Sequence, residues 1–130
     1  MHLDIHPNAR SDILALRAKD QDAAAVIVVL LEQLQSDPNV VDLLTTKGDS
    51  NAHGEKLNVK PWVTAKSERN LWRLRVLETP ATEYRVFYGY HWQTRQMCVL
   101  GVAHKSDIDY DDHSSGFAAR VLADWKATCS

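Results

Sequence analysis

Cysteine, glycine and proline are all scarce in this chain, which has two, five and four of them in 130 residues. The two cysteines, Cys98 and Cys129, lie far apart without a Cys-x-x-Cys spacing. They exclude a secretory disulfide framework and read as free thiols of a reducing compartment. Few glycines and prolines leave no low-complexity tract, and no internal repeat is present. A long apolar run is also missing. The longest, Ala23 to Leu31, spans nine residues, about half of the roughly 20 that a bilayer-crossing helix needs. The start, Met1-His2-Leu3-Asp4-Ile5-His6-Pro7, has neither the charged nor the apolar region of a signal peptide, so the mature protein is expected to begin near Met1 and to be cytoplasmic, with no membrane contact.

A strong excess of one charge is lacking too, since the net charge is -2. Bulk charge therefore does not announce a nucleic-acid binder. Its distribution says more. Residues 1–46 carry three basic and seven acidic side chains, residues 47–105 ten and five, and residues 106–130 two and five. A basic middle between acidic ends can hold a phosphate-rich or acidic partner, unless folding mixes the segments. With 45% apolar and 25% charged residues, the composition is that of one soluble globular domain over 1–130. Such a chain buries roughly two thirds of the surface it exposes when unfolded, enough for a core without disulfides or metal.

The apolar pattern predicts the order β, α, α, β, β, β, α. Leu3 and Ile5 alternate with polar neighbours as a short strand before Pro7, which can start a helix running to Lys19. Asp20-Gln21-Asp22 caps a second helix through Ala23–Gln35. Its Val26-Ile27-Val28-Val29 would suit a strand, but the Ala-rich start and Leu-Glu-Gln-Leu-Gln finish outrun strand length. Asn39–Thr46 forms another helical turn or two. Lys47 to Gly54 is polar and glycine-containing, and a surface insertion is expected at about 47–67. Three antiparallel strands follow, over Asn70–Leu77, Tyr84–Tyr90 and Gln96–Ala103. After the acidic stretch Ser106–Asp112, Phe117, Val121, Leu122 and Trp125 share helical spacing. The fold class is α+β, an antiparallel central sheet with helices packed on one face.

Arg73 and Arg75 are two apart on one strand, so they leave the same sheet face, opposite Trp72, Leu74 and Val76. A short connection at Pro80 lets Arg85 join them. Three guanidiniums on one face can clamp an oxyanion-rich ligand, or can lie solvated and paired with Glu78 or Glu83. His104 follows the apolar run Cys98–Ala103, where a strand leaves the sheet, and suits a neutral-pH acid or base. Tyr110 could stack on a nucleobase or cover the last helix. His2 and His6, the one i, i+4 histidine pair, raise a zinc reading.

The runs Leu71-Trp72-Arg73-Leu74-Arg75-Val76, Glu83-Tyr84-Arg85-Val86-Phe87-Tyr88 and Val99-Leu100-Gly101-Val102-Ala103-His104-Lys105, with Tyr110 before a terminal helix, resemble the RelE/ParE superfamily of type II toxin-antitoxin toxins, RelE/HigB-like members included. The resemblance covers residues 71–125 and weakens over 2–35. It implies a small RelE-like fold and a metal-free endoribonuclease that needs no cofactor, acts on messenger RNA at the ribosome and inhibits translation. It further implies catalysis by His104, Arg85 and Tyr110, with substrate held by Arg73, Arg75 and Lys105. Attack of a ribose 2′-OH on the adjacent phosphate would leave a 2′,3′-cyclic phosphate. The implied partners are a cognate antitoxin protein, messenger RNA and the ribosome. The chain departs from the pattern in its net charge, in Asp107, Asp109, Asp111 and Asp112 around Tyr110, and in the segment Lys47–Ser67, whose Lys56, Lys60, Lys66 and Trp62 are candidates to touch RNA. Two further readings stand beside it: a ParE-like gyrase inhibitor, and a non-catalytic toxin-like module that pairs with an antitoxin.

Overall fold

The computed structural model describes residues 3–62, 70–77, 80–91, 93–108 and 116–128. His2, Lys66, Glu78, Asp109, Tyr110, Asp111, Asp112 and Cys129, each used in the sequence reading, lie outside these ranges. The chain runs β1 (Leu3–Ile5), α1 (Pro7–Lys19), α2 (Gln21–Gln35), α3 (Val40–Leu44), β2 (Gly48–Ala52), β3 (Glu55–Pro61), β4 (Leu71–Val76), β5 (Tyr84–His91), β6 (Gln96–His104), a 3-10 turn (Lys105–Asp107) and α4 (Gly116–Thr128). The class is α+β, as the pattern predicts.

Local chemistry sets the helix starts. The Nδ1 of His6 accepts the Asn8 N–H at 3.0 Å, with Pro7 in the first turn, where its missing donor costs nothing. Asp20 caps α2 by accepting the Ala23 N–H at 3.1 Å. The Val-Ile-Val-Val run is helical, and its buried positions, Ala23, Ala24, Ile27, Leu30, Leu31 and Leu34, fall on one stripe.

The sheet differs from the expected one in three ways. Among the described residues it has six strands, in the order β1-β6-β5-β4-β3-β2. It is mixed, because β1 pairs parallel to β6, Leu3 opposite Met97, while the other pairs are antiparallel. Third, the stretch expected as a surface insertion supplies two strands. Ala52 pairs with Glu55 across His53 and Gly54, both at positive φ, the conformation of a two-residue hairpin turn whose twist matches the strands. Leu57 and Val59 alternate inward from polar Lys56, Asn58 and Lys60, and so fasten the hairpin to β4.

Helices cover both faces rather than one. On one face α1, α2 and α3 bury Leu16, Ile27, Leu30, Leu34 and Leu44 against Leu57, Leu74, Val86, Tyr88 and Val99. On the other, Ala118 and Val121 of α4 pack with Trp62, Leu71, Phe87 and Leu100. A bulge makes this second contact possible. Phe87 pairs with Gly101 and Tyr88 with Val99, leaving Leu100 as the extra residue. Leu100 and Gly101 thus both serve the α4 side, and a Cβ on Gly101 would lie 2.7 Å from the Phe117 ring and 2.8 Å from Arg120.

One carboxylate ties the two layers together. Asp12 of α1 takes both Nη atoms of Arg120 of α4, at 2.8 and 2.6 Å, and the Val102 N–H of β6 at 2.9 Å. Arg120 also donates to the Leu100 carbonyl at 3.1 Å. The paired carboxylate raises the Arg120 pKa further, so the clasp stays charged.

Three outcomes follow. Gly101→Ala should cost about 1–3 kcal/mol by crowding Phe117 and Arg120, read by denaturant unfolding. Fully buried Tyr88 donates its hydroxyl to the Leu44 carbonyl at 2.6 Å, so Tyr88→Phe should cost about 1–3 kcal/mol. Burial pushes the Tyr88 phenol well above its ordinary 10.0, against the opposing pull of Arg73. Between the unfolded and folded values the folded state therefore holds the extra proton, and stability falls as pH rises above about 10. Unfolding measured from neutral to alkaline pH should show a shallower decline in Tyr88→Phe than in the wild type.

Candidate functional site

The β4 sequence Leu71-Trp72-Arg73-Leu74-Arg75-Val76 turns Trp72, Leu74 and Val76 toward α1–α3, which leaves Arg73 and Arg75 on the α4 side. On β5, Val86 and Tyr88 face α1–α3, so Arg85 and Phe87 share the arginine side. The three arginines therefore occupy one face, as their spacing predicts. The β2–β3 hairpin enlarges it. Lys60 lies directly opposite Arg73, and Asn58 opposite Arg75.

The guanidiniums are anchored. Arg75 Nε and Arg85 Nη1 both donate to the Thr82 carbonyl, at 3.2 and 2.9 Å, and Arg85 Nη1 donates also to the Tyr84 carbonyl at 3.1 Å. Arg73 Nη1 donates to Asn58 Oδ1 at 3.1 Å, and Asn58 donates to Asp49 at 2.6 Å. Exposure separates the set. Arg85 is only 9% exposed, Arg73 and Arg75 are half-buried, and Lys56 and Lys60 stand out in solvent. Arg85 is a charge set beneath the surface, whereas Arg73, Arg75 and Lys60 offer the polar edges that a ligand would meet.

Lys105 ion-pairs with Glu83 at 2.6 Å, both side chains half exposed. The hydrogen bond from Lys105 holds the Glu83 carboxyl below its ordinary value, and the charges of Lys105, His104 and Arg75 act in the same direction. Glu83 thus lies between the arginine face and His104. From the sequence alone Glu83 is only a counter-ion to the arginines.

His104 leaves the opposite side of the sheet. It pairs with Tyr84, whose ring packs toward the α1–α3 core and meets the imidazole edge to face at 5.2 Å. The His104 Nδ1 accepts the Ser106 N–H at 3.1 Å, with Ser106 Oγ at 2.8 Å. Because a backbone N–H can only donate, the neutral ring carries its proton on Nε2. A cleft of about 400 Å³ opens here at the end of β6, lined by Asp12, Lys19, Tyr84, His104, Asp107 and Phe117 among others. Its polar groups can hold or pass a proton. The strand separates them from the Arg73–Arg75 pair, so the structure does not gather the predicted residues into one side-chain cluster. Tyr110 lies outside the described residues.

Among the described residues, no three His, Cys, Asp or Glu side chains are placed to hold a metal ion, and no helix is long and apolar enough to cross a membrane. Compared with protein-family models, with curated proteins and with solved structures, the chain matches none. Tyr84 and Ser106, which orient His104, were missed because neither carries a motif; their roles come from strand register and from the backbone turn after β6.

The fixed tautomer has a direct readout. In the neutral form of His104 the ring 15N resonances should show an unprotonated Nδ1 and a protonated Nε2, and Ser106→Pro, which removes the donor, should shift the population toward the other tautomer.

Proposed function

We propose that this chain is a toxin-class endoribonuclease that acts on messenger RNA without a metal, at the ribosome in the cytoplasm, and is restrained by an antitoxin protein. One observation carries the reading: Lys60, Arg73, Arg75 and Arg85 of three neighbouring strands share one sheet face. Like charges directly opposite, as in Lys60 and Arg73, destabilise a sheet in isolation. A phosphate backbone laid across the face turns that cost into binding.

In the proposed reaction Arg73 and Arg75 hold the phosphate next to the scissile bond. The ribose 2′-oxygen attacks phosphorus and loses its proton to solvent, and the P–O5′ bond breaks. His104, in its imidazolium form, gives its Nε2 proton to the departing O5′ and takes up another from solvent afterwards, leaving a 2′,3′-cyclic phosphate and a free 5′-OH. Buried Arg85 supports the developing charge from below, Lys105 binds the flanking backbone, and Tyr110 orients the base.

The second reading, a non-catalytic RNA-binding or antitoxin-binding module, is favoured by a specific feature: His104 and the arginines leave opposite sides of the sheet. Purified protein with labelled single-stranded RNA separates the two. Arg73→Ala with Arg75→Ala should weaken binding and flatten the slope of log affinity against log salt by about 0.7 for each phosphate no longer neutralised. His104→Ala should leave binding intact and slow cleavage by about 10²–10⁴. Wild-type binding without cleavage, on free RNA and on programmed ribosomes, would establish the binding module instead. Inhibited DNA supercoiling with intact RNA would indicate the gyrase-directed branch.

A further inference from the structure

An acid stands at the β2 end of the arginine face. Asp49 of β2, Asn58 of β3 and Arg75 of β4 lie directly opposite one another on successive strands. The next residue, Ser50, pairs with inward-facing Leu57, so Asp49 projects to the arginine side. Its Oδ1 accepts from Asn58 Nδ2 at 2.6 Å, and Asn58 Oδ1 accepts from Arg73 Nη1 at 3.1 Å. A guanidinium can only donate, so the Asn58 amide has one orientation, with its donor turned to Asp49. The exposed Asp49 carboxylate is thereby held against the sheet, and its Oδ2 takes no hydrogen bond among the described residues.

Two strand spacings, about 10 Å, separate Arg75 from Asp49 along this row. A carboxylate repels phosphate, so a nucleotide lying along the row sets its phosphate at the Arg75 end and its base at the Asp49 end. Among the RNA bases guanine alone presents adjacent donors, N1–H and N2–H, on its Watson–Crick edge, and these match the paired oxygens of a carboxylate. An ionised carboxylate has about four lone-pair sites, of which Asn58 occupies one, so both oxygens can still accept. Adenine and cytosine each set a ring-nitrogen acceptor beside their amino donor, and uracil sets its imino donor between carbonyls. Each of these turns a lone pair toward the carboxylate, a mismatch that a hydrogen-bonding site rejects.

We infer, on the reading of this face as an RNA-binding surface, that Asp49 is its base-reading residue and that the base it selects is guanine. Phosphate contacts position a nucleic acid and base contacts specify it. Arg75 and Lys60 serve the first purpose and Asp49 the second. The acid lowers the affinity of the face for phosphate in general, and returns that loss for one base.

Fluorescence anisotropy of the full chain with labelled 2′-O-methyl oligouridylates, which lack the attacking hydroxyl and so report binding alone, tests this. Oligonucleotides carrying a single guanosine should bind about 5- to 150-fold tighter than those carrying adenosine, cytidine or uridine at that place, the discrimination of a bidentate contact. Inosine, which lacks the 2-amino group, should lose most of that advantage. Asp49→Asn keeps an acceptor for Asn58 but replaces one carboxylate oxygen by a donor. It should abolish the guanosine preference, bind plain oligouridylate at least as tightly as the wild type, and leave the circular dichroism spectrum unchanged. Salt-sensitive binding without a guanosine preference overturns the inference and leaves the phosphate-binding face standing. A preference that survives Asp49→Asn, or that inosine shares in full, overturns it too, by placing base recognition elsewhere. Failure to bind any of these RNAs overturns the reading of the face together with the inference.

Discussion

The Asp12 carboxylate is where the layers of this fold meet. β1 reaches only as far as Val99 of β6, so beyond that point no strand among the described residues neighbours the outer edge of β6. Asp12 takes the next available donor there, the Val102 N–H, and binds the Arg120 guanidinium with the same oxygens. A helix on one face is thereby fixed to a helix on the other around a strand edge. Each partner limits the desolvation cost of the others, because the carboxylate accepts from two charged donors and one amide while Arg120 returns a bond to the Leu100 carbonyl. The bulge at Leu100 and the missing side chain of Gly101 let α4 approach close enough for this clasp.

Much of this was legible in the residues. Alternation gave β4, β5 and β6 because one face of each strand is apolar and the period is two. The helical reading of the Val-rich α2 followed from length. The β2–β3 hairpin was hidden by composition: Gly48-Asp49-Ser50-Asn51 has no apolar alternation, since an edge strand with one neighbour buries little beyond Ala52. His53-Gly54 with inward Leu57 and Val59 was the usable signal. Parallel pairing of β1 with β6 could not be read locally, because nothing in three residues records a partner near the far end of the chain. The covering of both faces was obscured for a related reason. β6 is apolar on consecutive positions, which fits burial between two layers as well as burial on one.

The same limits apply to the site. Spacing is enough to put Arg73 and Arg75 on one face, and a short connection enough to bring Arg85 beside them. The side of the sheet on which His104 falls depends on register across β5 and β6, bulge included, and register is a tertiary property. Burial of Arg85 likewise depends on the turn that supplies the Thr82 and Tyr84 carbonyls. Glu83, held ionised between Lys105, Arg75 and His104, is the electrostatic link between two groups of side chains that the backbone keeps apart.

The position of β1 also bears on how the chain folds. β2 through β6 form a run of sequential neighbours, each closed by a local connection, so that part of the sheet can assemble from short loops. β1 has no such neighbour; Leu3 waits for Met97. Closing the sheet therefore requires a pairing of very long sequence separation, whose loop entropy is met only once β6 exists. During synthesis the first strand and the α1–α2 hairpin emerge well before the strand that receives them. In that interval Leu3 and the inner faces of both helices are uncovered, which makes the N-terminal third the segment most exposed to chaperones and to misassociation.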